Sequence, residues 1–340
     1  MRKFESKPAV REKTPLLVGL VGPSGTGKTM SALRLATGIQ RITGGDIYGI
    51  DTEANRMLHY ADKFKFHHVP FSPPFSPVDY LDAIEYCASK GAGVVIVDSQ
   101  SLEHEGPGGV LDMHEQELDR LAGKENWSKR QAMNFLAWGK PKGQRRKLIQ
   151  GILQLGINAI FCFRAKEKLK MQKGQEPLQL GWMPIAGEEF IYEMTLKCLL
   201  LPGCDGRPSW RSEFPGEQAM MKLPEQFRPI FAGNDSPQLS EDIGQRLAEW
   251  AAGAPAGPSK AIALSAKYDA CRTQSDFDAL ESERKAAWSS LKAGEKTSLK
   301  AASDTAKDRI ARTTTEESSD DEPFGVGPPE RDSVTNPMPD

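Results

Sequence analysis

At 340 residues, of which 39% are apolar, the chain is long enough to bury one large core or two modest ones, which excludes a fibrous or wholly disordered protein. It has no run of about 18 apolar residues and no apolar stretch behind its basic start, which excludes a predicted transmembrane helix and a signal peptide. We therefore expect a cytoplasmic protein without membrane contacts. Its five cysteines lack C-x-x-C spacing, so we expect reduced thiols.

The net charge of −2 conceals an uneven distribution of charge along the chain. Residues 313–340 carry eight acids and one arginine, a local charge of −7, which leaves the rest of the chain at +5. This segment is also rich in proline and glycine and has few large apolar side chains. It is therefore predicted to be a disordered acidic tail.

The predicted elements alternate between strands and helices, beginning after a short N-terminal extension at 1–13. Short apolar runs predict strands at 14–22, 46–51, 93–99, 158–164 and 193–203. Helical spacing of apolar residues follows the first strand at 27–42, and a proline-rich crossing at 69–80 leads into a second helix at 79–91. This alternation predicts an α/β domain with a mainly parallel sheet that is covered by helices on both faces.

The α/β domain is predicted to span 14–253 and to close with a helix at 241–253. The following segment, "APAGPSK" at 254–260, has the composition of a linker. Residues 261–312 are rich in alanine and charged residues and carry apolar residues at intervals. They are predicted to form a small unit of two or three helices. The apolar positions of this unit are Leu264, Tyr268, Phe277, Leu280, Trp288, Leu291 and Leu299.

The strongest motif is "GPSGTGKT" at 22–29, which fits the phosphate-loop (Walker A) pattern and lies between a predicted strand and a predicted helix. Its backbone N–H groups and the helix N-terminus are suited to the phosphates of a nucleotide such as ATP. Lys28 is expected to reach the β- and γ-phosphates, and the Thr29 hydroxyl to bind Mg²⁺. The residues expected to bind nucleotide are Gly22, Pro23, Ser24, Gly25, Thr26, Gly27, Lys28 and Thr29.

Two acidic strand ends complete the predicted site. The strand "GVVIVDS" ends in Asp98, which fits the carboxylate that holds Mg²⁺ opposite a phosphate loop. The strand "DIYGID" is followed by Glu53, at the edge where parallel sheets place their ligands. We predict that Glu53 orients the attacking water. Glu103 or Glu105 is an alternative for that role, and a plain turn is an alternative function for Glu53.

A dinucleotide-binding fold would use G-x-G-x-x-G and would place a ribose-binding acid about 20 residues further on, an offset that Asp51 and Glu53 approach. The Lys28-Thr29 pair occupies positions where that fold requires small residues. Ribose recognition is therefore not expected, and Asp51 is expected to support the turn.

The succession of phosphate loop, "IDTE", "VIVDS" and "FCFR" resembles the RecA-type ATPase core, and most closely the compact RecA-like recombination ATPases of bacteriophages. The resemblance covers roughly residues 14 to 250. It implies a hydrolase in which Glu53 is the catalytic base and Asp98 is the Walker B aspartate. Arg164 would contact the γ-phosphate, at a position where RecA itself has glutamine. It also implies a ring or filament whose sites are completed by a neighbour's cation, for which Arg207 and Arg211 are candidates.

The resemblance further implies binding of single-stranded DNA through the loop after the fourth strand, 165–184. That segment carries Lys166, Lys168, Lys170, Lys173 and Trp182, and cations beside an aromatic ring suit phosphates and stacked bases. A solvated charged loop is the alternative interpretation. A second basic cluster, Lys142, Arg145, Arg146 and Lys147, is predicted at a helix start and is either a binding surface or a solvated face.

These features predict a Mg²⁺- and ATP-dependent, DNA-binding ATPase of phage-type recombination, annealing or replication, in the host cytoplasm if a bacteriophage encodes it. The acidic tail is similar to the tails of single-strand binding proteins, which implies either recruitment of a replication partner or competition with DNA. The rival functions are a phosphate-loop kinase of small molecules and a nucleotide-dependent adaptor of a replication or packaging complex.

Overall fold

The computed structural model describes residues 6, 12–171, 176–232, 236–253, 260–288, 291 and 293–317. The chain divides into two compact units, Met1–Pro255 and Ala256–Asp340. The predicted N-terminal extension at 1–13 and the predicted linker at 254–260 fall almost entirely outside the described residues.

A seven-stranded sheet forms the centre of the first unit. Its strands run in the order β3-β2-β4-β5-β1-β7, all in parallel, and β6 pairs antiparallel with the far end of β5. The strands are β1 (Leu17–Gly22), β2 (Asp46–Asp51), β3 (His67–Pro70), β4 (Ala92–Asp98), β5 (Asn158–Lys170), β6 (Leu178–Pro184) and β7 (Leu196–Leu199).

The helices of this unit lie between and after the strands. They are α1 (Lys28–Thr43), α2 (Pro77–Ser89), α3 (Leu102–Glu105), α4 (Val110–Ala122), α5 (Trp127–Ala137), α6 (Gly139–Leu155), α7 (Glu188–Tyr192), α8 (Pro215–Met220) and α9 (Glu241–Ala251), with 3-10 helices at Arg56–Tyr60 and Glu225–Ile230.

The sheet separates two apolar cores, because successive side chains of a strand point to opposite faces. In β1, Val18 and Leu20 join the core shared with α1 and α9, whereas Leu17 and Val21 join the core shared with α2 and α6. The predicted α/β class, with a mainly parallel sheet covered on both faces, is thus confirmed.

Local sequence explains where α2 begins. Ser76 accepts a hydrogen bond from the Asp79 N–H at 3.3 Å and the Asp79 carboxylate accepts one from the Ser76 N–H, which together form a capping box. Pro77 occupies the first turn, where its missing N–H costs nothing. These residues end the proline-rich crossing and start the helix.

Two glycines allow α1 and α9 to pack backbone to backbone. A Cβ at Gly38 would overlap the carbonyl oxygen of Glu241, and a Cβ at Gly244 would overlap that of Leu35. This close approach fixes α9 against the helix that follows the phosphate loop.

Two strands were not predicted. The edge strand β3 has the sequence HHVP, which lacks both an apolar run and a clear alternation. The strand β6 lies in the segment predicted to be a loop at 165–184, which instead forms a hairpin: β5 continues to Lys170 and β6 returns along it. The predicted strand at 193–203 is shorter in the structure, since α7 ends at Tyr192 and β7 occupies only Leu196–Leu199.

The second unit contains α10 (Lys260–Ala270), α11 (Gln274–Ala287) and α12 (Ala293–Glu317). Its core holds the predicted apolar positions Leu264, Tyr268, Phe277, Leu280, Leu291 and Leu299, with Trp288 packed against them. Helix α12 continues to Glu317, past residue 313 where the acidic tail was predicted to begin. The remainder of that tail, 318–340, lies outside the described residues.

No helix in the described part of the chain has the length and apolar character that a bilayer crossing demands.

Candidate active site

The phosphate loop connects the end of β1 to the start of α1, as its motif predicts. Gly25 and Gly27 have φ values of 82° and 81°, in the left-handed region that favours glycine. Helix α1 begins at Lys28, directly after the second of these residues. The loop therefore curves around the helix N-terminus, whose unpaired N–H groups favour an anion.

The ammonium group of Lys28 folds back onto its own loop. Its Nζ donates to the carbonyl oxygens of Gly22 and Pro23, at 2.9 and 2.7 Å. Burial lowers the pKa of Lys28, and the carboxylates of Asp98 and Glu53 oppose that shift. A cation that is partly removed from water in this way gains from a phosphate group arriving beside it.

Thr29 and Asp98 meet where α1 faces the end of β4. The Thr29 hydroxyl donates to Asp98 Oδ2 at 2.5 Å. Burial raises the pKa of Asp98 to about 6, the hydrogen bond from Thr29 opposes the rise, and the charge of Glu53 adds to it. A hydroxyl and a carboxylate side by side are the oxygen donors that Mg²⁺ prefers, and a cation would offset the cost of burying the carboxylate. These two residues fit the predicted metal ligands.

Glu53 lies in a turn that Asp51 holds in place. The buried carboxylate of Asp51 accepts hydrogen bonds from the backbone N–H groups of Glu53 and Met57, at 2.8 and 2.9 Å. His68, on β3, places its Nε2 3.2 Å from Asp51 Oδ2. Asp51 therefore fixes the backbone from which Glu53 projects, the turn-supporting role expected for it.

Two arginines contact the Glu53 carboxylate. Arg164 Nε donates to Oε1 at 2.7 Å, and Arg56 Nη1 donates to Oε2 at 3.3 Å. The Glu53 side chain is 16% exposed, whereas those of Arg164 and Arg56 are 38% and 71% exposed. The Glu53 carboxylate thus lies between Arg164, at the edge of the sheet, and the more exposed Arg56. Arg56 was not predicted, and its position three residues after Glu53 was the available signal.

These side chains line one cleft at the carboxyl edge of the parallel sheet. The cleft measures about 790 Å³ and adjoins the phosphate loop. Register explains the convergence, since Asp51 pairs with Asp98 across β2 and β4, and Gly22 pairs with Arg164 across β1 and β5. Lining residues that were predicted are Ser24, Gly25, Gly27, Lys28, Thr29, Glu53, Asp98 and Arg164. Those not predicted as ligands include Arg56, His59, Tyr60 and Ile185.

The two alternatives to Glu53 occupy different environments. Glu105 lines the cleft, whereas Glu103 is buried behind it in a two-pronged ion pair with Arg145, at 3.0 and 2.9 Å. Burial raises the pKa of Glu103, and Arg145 opposes that rise. Glu103 therefore serves packing and charge pairing, and the structure does not bring it to the cleft.

The second basic cluster is divided by the fold. Lys142, Arg146 and Lys147 are exposed on α6, but Arg145 is buried against Glu103 and contacts His104 Nδ1 at 2.9 Å. The interpretation of Arg145 as part of a solvent-facing binding surface is wrong, because its guanidinium points into the protein to neutralise a buried carboxylate.

The hairpin of β5 and β6 separates the predicted lysines from the predicted ring. Lys166, Lys168 and Lys170 alternate along β5 and share one exposed face. Trp182 pairs in register with Glu167, so it lies on the opposite face, where it is half-buried against the core of α2 and α6. Lys173 lies outside the described residues.

The lysine face of the hairpin lies near α3. Burial lowers the pKa of His104 to about 4, and the positive charges of Arg145, Lys168 and Lys166 contribute to that shift. These cations therefore lie close enough to act on His104, whereas Trp182 lies on the opposite face of the hairpin.

The predicted trans-acting cations lie on the loop after β7. Both Arg207 and Arg211 are exposed, and Arg207 Nη1 donates to the Ser236 carbonyl oxygen at 3.2 Å. Neither side chain lines the cleft of its own chain.

No protein-family model matches the chain, and no curated protein matches it significantly. The relation to RecA-type ATPases remains a prediction from the motifs, to be judged by the chemistry of the cleft.

Proposed function

We propose that this chain is a Mg²⁺-dependent ATPase of the RecA-like class that binds single-stranded DNA and acts in recombination, annealing or replication of a bacteriophage type. One observation carries the proposal. Lys28 and Thr29 at the start of α1, Asp98 at the end of β4 and Glu53 just after β2 line a single cleft. Such convergence of a phosphate loop, two oxygen ligands and a further carboxylate is what nucleotide hydrolysis requires.

The phosphate loop and Lys28 would bind the nucleotide. The loop supplies N–H donors for the α- and β-phosphates, and Lys28 exchanges the carbonyl oxygens of Gly22 and Pro23 for the β- and γ-phosphates. Thr29 and Asp98 would hold Mg²⁺, which neutralises phosphate charge when it is bound.

Glu53 would act on the attacking water. The water oxygen forms the new bond to the γ-phosphorus as the bond from that phosphorus to the β,γ-bridging oxygen breaks. The water proton passes to the Glu53 carboxylate and is then released to solvent, which leaves ADP and inorganic phosphate. Positioned proton transfer of this kind contributes about 10² to 10⁴ in rate.

The lysine face of the hairpin is the surface that best fits a DNA strand. Lys166, Lys168 and Lys170 repeat along one exposed face, and the hairpin begins immediately after Arg164 in the cleft. Lysine contacts to DNA phosphates do not depend on the base sequence. The hairpin therefore connects the proposed DNA-binding surface directly to Arg164 in the ATP cleft.

Phosphate release with and without single-stranded DNA tests this proposal. We expect Mg²⁺-dependent turnover that DNA increases and that Lys28→Ala abolishes, because that variant loses its phosphate contact. Turnover that appears only when a small-molecule acceptor is added would identify a kinase instead. Nucleotide binding without turnover under every condition would identify a non-hydrolysing adaptor.

A further inference from the structure

Arg164 is fixed at the point where β5 leaves the parallel part of the sheet. Its N–H donates to Ser101 Oγ at 2.8 Å, and its carbonyl oxygen accepts from the Ile185 N–H at 2.8 Å. It also pairs in register with Gly22, the first residue of the phosphate loop. The backbone of Arg164 is therefore anchored from several directions, and its side chain reaches the cleft from a rigid element.

The guanidinium of Arg164 is only partly used. Its Nε donates to Glu53 Oε1 at 2.7 Å. Within the described part of the chain, neither of its terminal Nη atoms donates a hydrogen bond, and the side chain lines the same cleft as Lys28 and Thr29. An arginine has five donors in a planar fork that matches phosphate oxygens.

Hydrolysis of ATP requires a cation of this kind. Negative charge spreads over the three equatorial oxygens of the γ-phosphoryl group in the transition state, and an arginine that stabilises it contributes about 10³ to 10⁵ in kcat. Arg56 also lines the cleft, but its side chain is 71% exposed.

We propose that Arg164 supplies this cation from within the same chain. Nε keeps the Glu53 carboxylate in place while the two Nη groups bind oxygens of the γ-phosphoryl group. The inference rests on the proposed ATPase activity and assigns to Arg164 the role that was expected of a neighbour's arginine.

Arg164→Ala tests the catalytic part of this assignment. We expect kcat to fall by about 10³ to 10⁵ with ADP binding unchanged. Affinity for ADP–aluminium fluoride, which mimics the γ-phosphoryl group in transit, should fall in parallel with kcat, because the lost contact belongs to the transition state. A purely structural role would lower ADP affinity and the unfolding temperature as well.

Arg56→Ala is the comparison variant, since Arg56 contacts the other oxygen of Glu53. It too is expected to lower kcat, but by much less than Arg164→Ala, because its side chain is mostly exposed and ion pairs of exposed side chains are weak. Equal losses in Arg56→Ala and Arg164→Ala would show that only the pairing with Glu53 matters, and would overturn the assignment.

A mixing experiment tests whether Arg164 acts within its own chain. Lys28→Ala keeps Arg164 but lacks the phosphate-loop lysine, and Arg164→Ala is the reverse. If Arg164 acts in its own protomer, an equimolar mixture with ATP and single-stranded DNA stays inactive. Recovery of phosphate release in the mixture would show that Arg164 acts in trans. That result, or normal turnover by Arg164→Ala, would overturn the assignment of Arg164 and leave the proposed ATPase function intact. A wild-type chain without any turnover would instead overturn the proposed function.

Discussion

Loss of the buried ion pair between Glu103 and Arg145 is expected to lower the free energy of unfolding by a measurable amount. Both side chains are almost fully buried, at 2% and 6% exposure, and two hydrogen bonds of 3.0 and 2.9 Å join them. Arg145→Ala leaves a carboxylate in the interior without its partner, which costs about 3–5 kcal/mol of unfolding free energy. For a domain of this size, about 2–4 °C per kcal/mol predicts a decrease in unfolding temperature of roughly 6–20 °C.

Thermal and urea unfolding of the full chain, followed by circular dichroism, would measure this loss. Arg146→Ala is the matched control, because the neighbouring side chain is exposed and its removal should cost less than about 0.5 kcal/mol. Replacing both partners, as in Glu103→Leu with Arg145→Met, should recover most of the stability, since no unpaired charge remains. A loss below about 1 kcal/mol in Arg145→Ala would show that Arg145 is not needed to neutralise the buried Glu103 carboxylate.

Three further predictions concern packing, pH and DNA. Gly38→Ala should destabilise the chain by about 1–3 kcal/mol, because its Cβ would overlap the backbone at the start of α9. Gly143→Ala, by contrast, has open space around its Cβ within a helix and should stabilise the chain by about 0.5–1 kcal/mol. Equal effects of the two substitutions on urea unfolding would contradict this prediction. The pKa of His104 is about 4 in the folded chain, against an ordinary value of 6.5 for an unfolded one. Between pH 4 and 6.5 the unfolded chain therefore binds more protons, so the free energy of unfolding rises with pH over this range. His104→Asn should remove up to about 3 kcal/mol of that rise, and a constant difference from wild type between pH 4 and 7 would argue against it. Replacing Lys166 and Lys168 with alanine should reduce the salt dependence of single-stranded DNA binding by about 1.4 in log–log slope, and an unchanged slope would exclude both as phosphate contacts.

The cleft was predictable because its parts are local motifs at equivalent strand ends. The phosphate loop is contiguous in sequence, and a parallel sheet brings the carboxyl ends of its strands to one edge. The carboxylates of Asp98 and Glu53 could therefore be assigned to the same site before their distance was known.

The environment of Arg145 was not predictable in the same way. A charged residue in a basic run is usually solvated, and its partner Glu103 lies 42 residues earlier in the chain. The two charges neutralise each other only because the fold brings Glu103 of α3 beside Arg145 of α6. Arg146 and Lys147, in the same basic run, are exposed, so sequence alone does not distinguish a buried arginine from its solvated neighbours.

The hairpin was missed because its register depends on pairing rather than on local pattern. Charged residues fill the outer half of β5, where apolar alternation is absent and the strand extends beyond the sheet. Whether Trp182 shares a face with the lysines depends on which residue of β5 it pairs with. A shift of the β5–β6 register by one residue would move Trp182 to the lysine face.

The most direct test of the central claim is the rate of phosphate release by Glu53→Gln, compared with wild type, in the presence of Mg²⁺, ATP and single-stranded DNA. We predict that the variant still binds ATP and is slower by about 10² to 10⁴, since it keeps the shape of Glu53 but loses its basicity. A variant that hydrolyses ATP at the wild-type rate would contradict the assignment of Glu53, and a wild-type protein that releases no phosphate would contradict the proposed ATPase.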